Sequence, residues 1–200
     1  MAKRRILLAG ILGGIAMFAW SFVAHMILPL GMTGVSEIPN EAPVLSALQS
    51  SIGGSSGLYM FPGMGLGPNP SMKDVNAAMP QYEKKLAGNP NGILIYHPPG
   101  GKAMEPRQLI REFLTEFVEA LLAAWLLVRT RLATYASRVG FVLVVGLVAA
   151  ITTNIPYWNW YGFPTNYTLA YMLIEVVGYL VAGLVAAAVL RQPMARAAMA

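Results

Sequence analysis

The sequence predicts an all-α integral membrane protein: four transmembrane helices, with a small α+β extracytoplasmic domain inserted between helices 1 and 2. Three observations predict it. First, the 200-residue chain is 56% hydrophobic and 12% charged, with a mean hydropathy of +0.54, whereas charged residues make up about a quarter of an ordinary soluble domain. Second, the apolar residues fall into four blocks, Ile6–Leu30, Leu109–Val128, Val139–Tyr157 and Tyr167–Leu190. Each is close to the roughly 20 residues a helix needs to cross a bilayer. Third, basic residues cluster without acids at three places: Lys3, Arg4 and Arg5 before the first block, Arg129, Arg131 and Arg138 between the second and third, and Arg191 and Arg196 after the fourth. By the positive-inside rule these clusters put both termini in the cytoplasm, as in a bacterial inner membrane.

Four segments follow: 1–30, a cytoplasmic N-terminus and the first span; 31–108, the extracytoplasmic domain; 109–190, spans two to four; and 191–200, a cytoplasmic tail. The first span is expected to be retained. Its apolar run exceeds the 7–15 residues of a signal-peptide core, and no A-x-A site follows it. Gly10 and Gly14 stand at GxxxG spacing in this span, and Gly178, Ala182 and Ala186 make a similar small-residue stripe in the fourth. Such stripes let helices approach closely within a bundle.

In the inserted domain, Ala42–Ile52 reads as a helix and Gly57–Phe61 as a short strand. Ser71 opens a second helix through Leu86, with Asp74 three residues on, as in a capping box, and Gly92–His97 reads as a second strand. The two halves resemble each other: Gly53 and Gly88, like Gly57 and Gly92, lie 35 residues apart. The spacing predicts a duplicated helix–strand unit, with both strands in one sheet.

The net charge of +5 does not point to nucleic acid, because the excess sits in the three clusters that flank the spans. With no cysteine, disulfides, thiolate metal sites and cysteine nucleophiles are excluded. Gly63-Met64-Gly65-Leu66-Gly67 follows a strand, but no Gly-Lys-Ser/Thr completes a phosphate loop. His97 reads as a solvated turn residue. The methionines of the inserted domain lack a repeated spacing, so they read as packing rather than copper ligands.

The chemistry-bearing residues are the ionisable ones at bilayer depth. Glu112, Glu116 and Glu119 occupy one stripe about 60° wide on the second span and rise about 10 Å along it. His25 lies about 7 Å below the outer end of the first span, and Glu175 about 12 Å below the start of the fourth. Asn154, after Thr152 and Thr153, ends the third span at a similar level. Charges in a bilayer usually face a bundle interior or a cavity, so His25, Glu116, Glu119, Asn154 and Glu175 are expected to line one polar cavity, with Glu119 the most buried carboxylate. His25, Glu116, Glu119 and Glu175 could together bind a divalent metal, although the Glu-x-x-His pairs of di-iron bundles are absent. Their structural alternative is a set of neutral side chains hydrogen-bonded across helices. The link Asn154–Tyr167 is dense in aromatics, with Pro156 and Pro164 as breakers. Trp158, Trp160 and Tyr161 form an interfacial belt, a rim on which a ligand or partner could stack.

No catalytic signature is present, so the leading functional expectation is a non-catalytic accessory or interaction subunit of a membrane complex. It would meet membrane lipid, and a protein partner or further copies of itself, through the inserted domain and the aromatic rim. The rival is a membrane enzyme or transport component that uses the His/Glu set in the outer leaflet as a metal- or proton-binding site.

Overall fold

The computed structural model describes residues 2–190, so Arg191 and Arg196, two of the basic residues used to orient the chain, lie outside the described residues. The chain is mostly helical. Its elements run α1 (Ala2–Phe22), a π-helical turn (Val23–Ile27), a 3-10 turn (Pro29–Met32), α2 (Glu41–Ile52), β1 (Gly57–Phe61), α3 (Met72–Gly88), β2 (Gly92–Tyr96), α4 (Pro106–Leu127), α5 (Tyr135–Tyr161) and α6 (Thr165–Val189). They divide into a helical unit, Met1–Val35 with Met104–Ala200, and an inserted unit, Ser36–Ala103.

Among the described residues, three helical stretches are long and apolar enough to cross a membrane: Lys3–Ile27, Tyr135–Tyr161 and Thr165–Val189. The expected four spans are thus three by this measure. The second expected span does form a helix, α4, but Arg107, Arg111, Glu112, Glu116 and Glu119 leave it too charged to qualify on composition.

Packing in the helical unit is set by small residues. Its buried positions are dominated by alanine (Ala9, Ala24, Ala120, Ala123, Ala124, Ala182, Ala186), while Leu7, Ile11, Leu122, Val148 and Leu169 are exposed. A water-soluble bundle would bury the large aliphatics. Small residues inside and large ones outside is the distribution of helices that associate in lipid through close backbone approach, and it is compatible with an integral membrane protein. The tightest approaches are at glycines. A Cβ on Gly14 would stand 2.7 Å from the Phe117 Cα, and one on Gly10 2.9 Å from the Leu121 Cβ. As residue numbers rise on α1 they fall on α4, so the two run antiparallel; Phe18 meets Phe113 edge-on further along, at 5.8 Å. Met17 and Trp20 border Gly178 of α6, and Trp20 Nε1 donates to the Ile174 carbonyl at 2.8 Å. Helix α5 antiparallels α6: Tyr135 Oη donates to Leu184 O at 3.0 Å, and Gly146 leaves room for the Tyr179 ring.

Helix α5 departs from expectation at both ends. Helix α5 runs on through Pro156 to Tyr161, because proline in a helix removes one backbone bond and the turns on either side hold. The break comes instead at Gly162, whose φ of 71° suits a residue without Cβ. Arg138, expected in the loop, lies in the first turn of α5 and is buried; its Nε and Nη2 donate to Leu132 O at 3.0 Å and Ala133 O at 3.1 Å. A buried guanidinium needs such acceptors.

In the inserted unit, β1 and β2 form an antiparallel two-stranded sheet. Gly57 pairs with Tyr96, Tyr59 with Leu94, and Phe61 with Gly92. This register has a consequence for the repeat. The central pair, Tyr59 and Leu94, are themselves matched residues, so the two strands are related by a local two-fold axis through that pair. Helix α3 begins with the expected cap: Ser71 Oγ accepts from the Asp74 amide at 3.2 Å, and Asp74 Oδ2 accepts from the Ser71 amide at 3.1 Å. The hydrogen bonds from Ser71 hold the Asp74 carboxyl below its usual pKa. A carboxylate with a depressed pKa stabilises the fold above its unfolded-state pKa, and that contribution is lost as pH falls through the folded-state value. Ser71→Ala should therefore move the Asp74 titration midpoint upward, read by NMR of the side-chain carboxyl; an unchanged midpoint would mean that the cap does not hold it.

Candidate functional site

A cavity of 740 Å³ lies between α1, α4 and α6 at the end of the helical unit that carries the π-helical turn. Its wall is mostly apolar and aromatic, with Met17, Phe18, Trp20, Phe22, Leu109 and Ile174, and among these project Ser21, His25, Glu112, Thr115, Glu116, Glu119, Thr153, Tyr171 and Glu175. Four of the sequence-selected residues thus border one space: His25, Glu116, Glu119 and Glu175. Asn154 stands one layer behind. Its Nδ2 donates to Glu175 Oε2 at 3.0 Å and to Ala150 O at 2.9 Å, which aims the Glu175 carboxylate.

The packing of α1 explains the placement of Glu116. The Gly14 contact draws α1 down onto Phe117, and the neighbouring Glu116 is covered as a result. It is 7% exposed, whereas Glu119 and Glu175 are half-buried. Glu116, not Glu119, is the most buried carboxylate, because helix proximity outweighs distance from the helix end. Ser21 approaches its carboxyl group, yet Oε2 is buried with no hydrogen-bond partner among the described residues. An unsatisfied buried oxygen costs about 1–3 kcal/mol.

His25 sits on the π-helical turn, closed by Leu28 N donating to Val23 O at 2.8 Å. The turn precedes Pro29, which lacks an amide for a continuing helix, and single π turns often occur at functional positions. His25 Nδ1 lies 2.9 Å from Ser21 O; a carbonyl only accepts, so Nδ1 carries a proton. Its ring meets Tyr171 edge-on at 6.1 Å. Among the described residues, no three His, Asp or Glu side chains converge closely enough to hold a metal ion. The proposed ligands His25, Glu116, Glu119 and Glu175 are therefore spread around the wall rather than gathered at one point.

The predicted rim does not border this cavity. Trp158, Trp160 and Tyr161 occupy the last turn of α5, Trp160 79% exposed and Trp158 donating from Nε1 to Thr165 Oγ1 at 3.1 Å. A ladder of rings nevertheless links the two places. Tyr157 contacts Tyr161 and Phe163, Phe163 stacks on Tyr167 at 5.4 Å, and Tyr167 stacks on Tyr171 at 4.3 Å. Trp20 and Tyr171 are among the wall residues that sequence reading missed. Each reads as an ordinary apolar position of a span, and only the cavity distinguishes them.

Comparison with known protein families, curated proteins and solved structures finds no match for this chain.

Proposed function

We propose that this chain is a four-span protein of a bacterial inner membrane, with cytoplasmic termini, that binds an amphipathic ligand in the cavity as a transport or membrane-enzyme component. The observation that carries the reading is the cavity itself: a mostly apolar space with Glu112, Glu116, Glu119 and Glu175 in its wall and a buried carboxylate oxygen that has no hydrogen-bond partner among the described residues. Pockets of several hundred Å³ with a few convergent polar groups are the usual form of a small-molecule site. Helix α4 serves as the fourth span. It lies antiparallel on α1, and its acids turn toward the cavity rather than lipid, which makes their presence at bilayer depth affordable.

The topology has a direct check. Reporter fusions after Arg131 should read cytoplasmic and one near Gly88 outside, from the acid-free basic clusters; a cytoplasmic signal near Gly88 would reverse the orientation. The cavity has another. The chain holds no cysteine, so Ser21→Cys supplies a single thiol in its wall. A membrane-impermeant maleimide added to intact cells should label it. Labelling only after the membrane is dissolved would place the cavity out of reach of the outer solution.

The second reading is the accessory subunit, which would dock through the inserted unit. Supporting it, Leu58, Met60 and Ile95 share one face of the two-stranded sheet and are 68%, 60% and 69% exposed, and two strands alone are marginally stable. Gentle purification that yields only monomer or homo-oligomer would count against it.

A further inference from the structure

We infer that the ligand of this cavity is a lipophilic ammonium: a protonated amine carried on an apolar or aromatic body. The inference rests on the reading of the cavity as a ligand site and assigns its chemistry. Four carboxyl side chains border the space, and none of the described lining residues is Lys or Arg. An incoming cation favours the ionised form of such carboxyls, so the wall offers it acceptor oxygens in a low-dielectric setting, where a facing charge counts for more than in water. The Glu116 Oε2 is nine-tenths buried with its residue and lacks a donor among the described residues. An ammonium brings N–H donors and positive charge together and accepts nothing, so it matches a wall of acceptors in a way that an alcohol matches in part and an anion not at all.

The rest of the wall selects the body of the ligand. Phe18, Trp20, Phe22 and Tyr171 border the same space, and aromatic faces attract cations within about 6 Å while excluding water. Trp20 is held by its bond to Ile174 O and Tyr171 by its stack on Tyr167, so these rings are fixed before a ligand arrives. A bare metal ion does not fit: no three ligating side chains converge among the described residues, and the space is far larger than one ion. An amine with an organic body fills it.

Two sources present this chemistry, a free lipophilic amine and the headgroup of an aminolipid. The test uses the full chain in phosphatidylglycerol nanodiscs and three isosteric probes: 1-naphthylmethylamine, 1-naphthalenemethanol and 1-naphthoate, titrated calorimetrically. The amine should bind at least tenfold more tightly than the alcohol, and the acid should give no binding. Glu116→Gln and Glu175→Gln should each weaken the amine at least tenfold and leave the alcohol unchanged. Gly178→Trp, which fills the space beside Met17 and Trp20, should abolish both. If the alcohol binds as tightly as the amine and Gly178→Trp removes both, the cavity is a ligand site but not a cation site, and this inference alone is overturned. If no probe binds, both readings fall. Repeating the amine titration with phosphatidylethanolamine in the nanodisc decides the source: displacement identifies the aminolipid headgroup, and unchanged affinity identifies a free amine.

Discussion

Gly14→Ala should destabilise the helical unit by about 2 kcal/mol, within the range of roughly 1–3 kcal/mol for overpacked sites, although alanine is the better helix former. The added methyl would stand 2.7 Å from Phe117 Cα and 3.0 Å from Phe117 N. Both are backbone atoms, so no rotamer change relieves the clash and α1 must move away from α4. Gly14→Leu should prevent the two helices from docking at all. The control is Gly140, also helical, where a Cβ would meet nothing within 4 Å; Gly140→Ala should be neutral or stabilising by up to ~1 kcal/mol from helix propensity. Denaturant titration in micelles, followed by circular dichroism, separates the two. Equal responses at Gly14 and Gly140 would mean that helix propensity, not close approach, governs this bundle. Because the same contact covers Glu116, Gly14→Ala should also open the cavity wall.

That coupling shows which features were legible in the sequence. The GxxxG spacing of Gly10 and Gly14 announced a close helix approach, since small residues have one use in a membrane helix that large ones cannot share. It did not name the partner, because any of the other long helices could have filled the groove. The strand pairing was legible for a different reason: two similar segments 35 residues apart, each bounded by glycine and proline, have the same local preferences and complementary edges. The carboxylates announced themselves by cost, as Glu116, Glu119 and Glu175 stand in apolar surroundings.

Other features left no trace in composition. The π-helical turn at His25 inserts one residue into a helical register, and an inserted residue looks like any other apolar position. Helix α5 continued through Pro156 because the sequence marks a possible break, not whether the flanking turns hold. The burial order of Glu116 and Glu119 depended on which face α1 covers, a tertiary fact that depth along one helix does not contain. Trp20 and Tyr171 became wall residues only when α1 and α6 came together.

Glu116→Leu should leave the stability of the protein unchanged or raise it by ~1–3 kcal/mol, the cost of leaving a buried polar atom unsatisfied, while abolishing binding of the amine probe. The parent side chain buries Oε2 without a partner among the described residues, the Ser21 hydroxyl near the carboxyl group offsets only part of that cost, and an apolar side chain of similar size removes the penalty. Glu175 should respond oppositely. Its Oε2 accepts from Asn154 at 3.0 Å, and interhelical bonds of this kind contribute about 0.6–2 kcal/mol in membranes, so Glu175→Leu should lower stability by about 1 kcal/mol. Asn154 keeps its second acceptor, the Ala150 carbonyl at 2.9 Å, which limits the loss. Micellar denaturation curves for the two variants, set beside the calorimetric affinities, distinguish a group kept for a ligand from one kept for the fold. A large loss of stability in Glu116→Leu, with Glu116→Gln behaving as the parent in both measurements, would make Glu116 a structural hydrogen-bonding residue and remove it from the binding site.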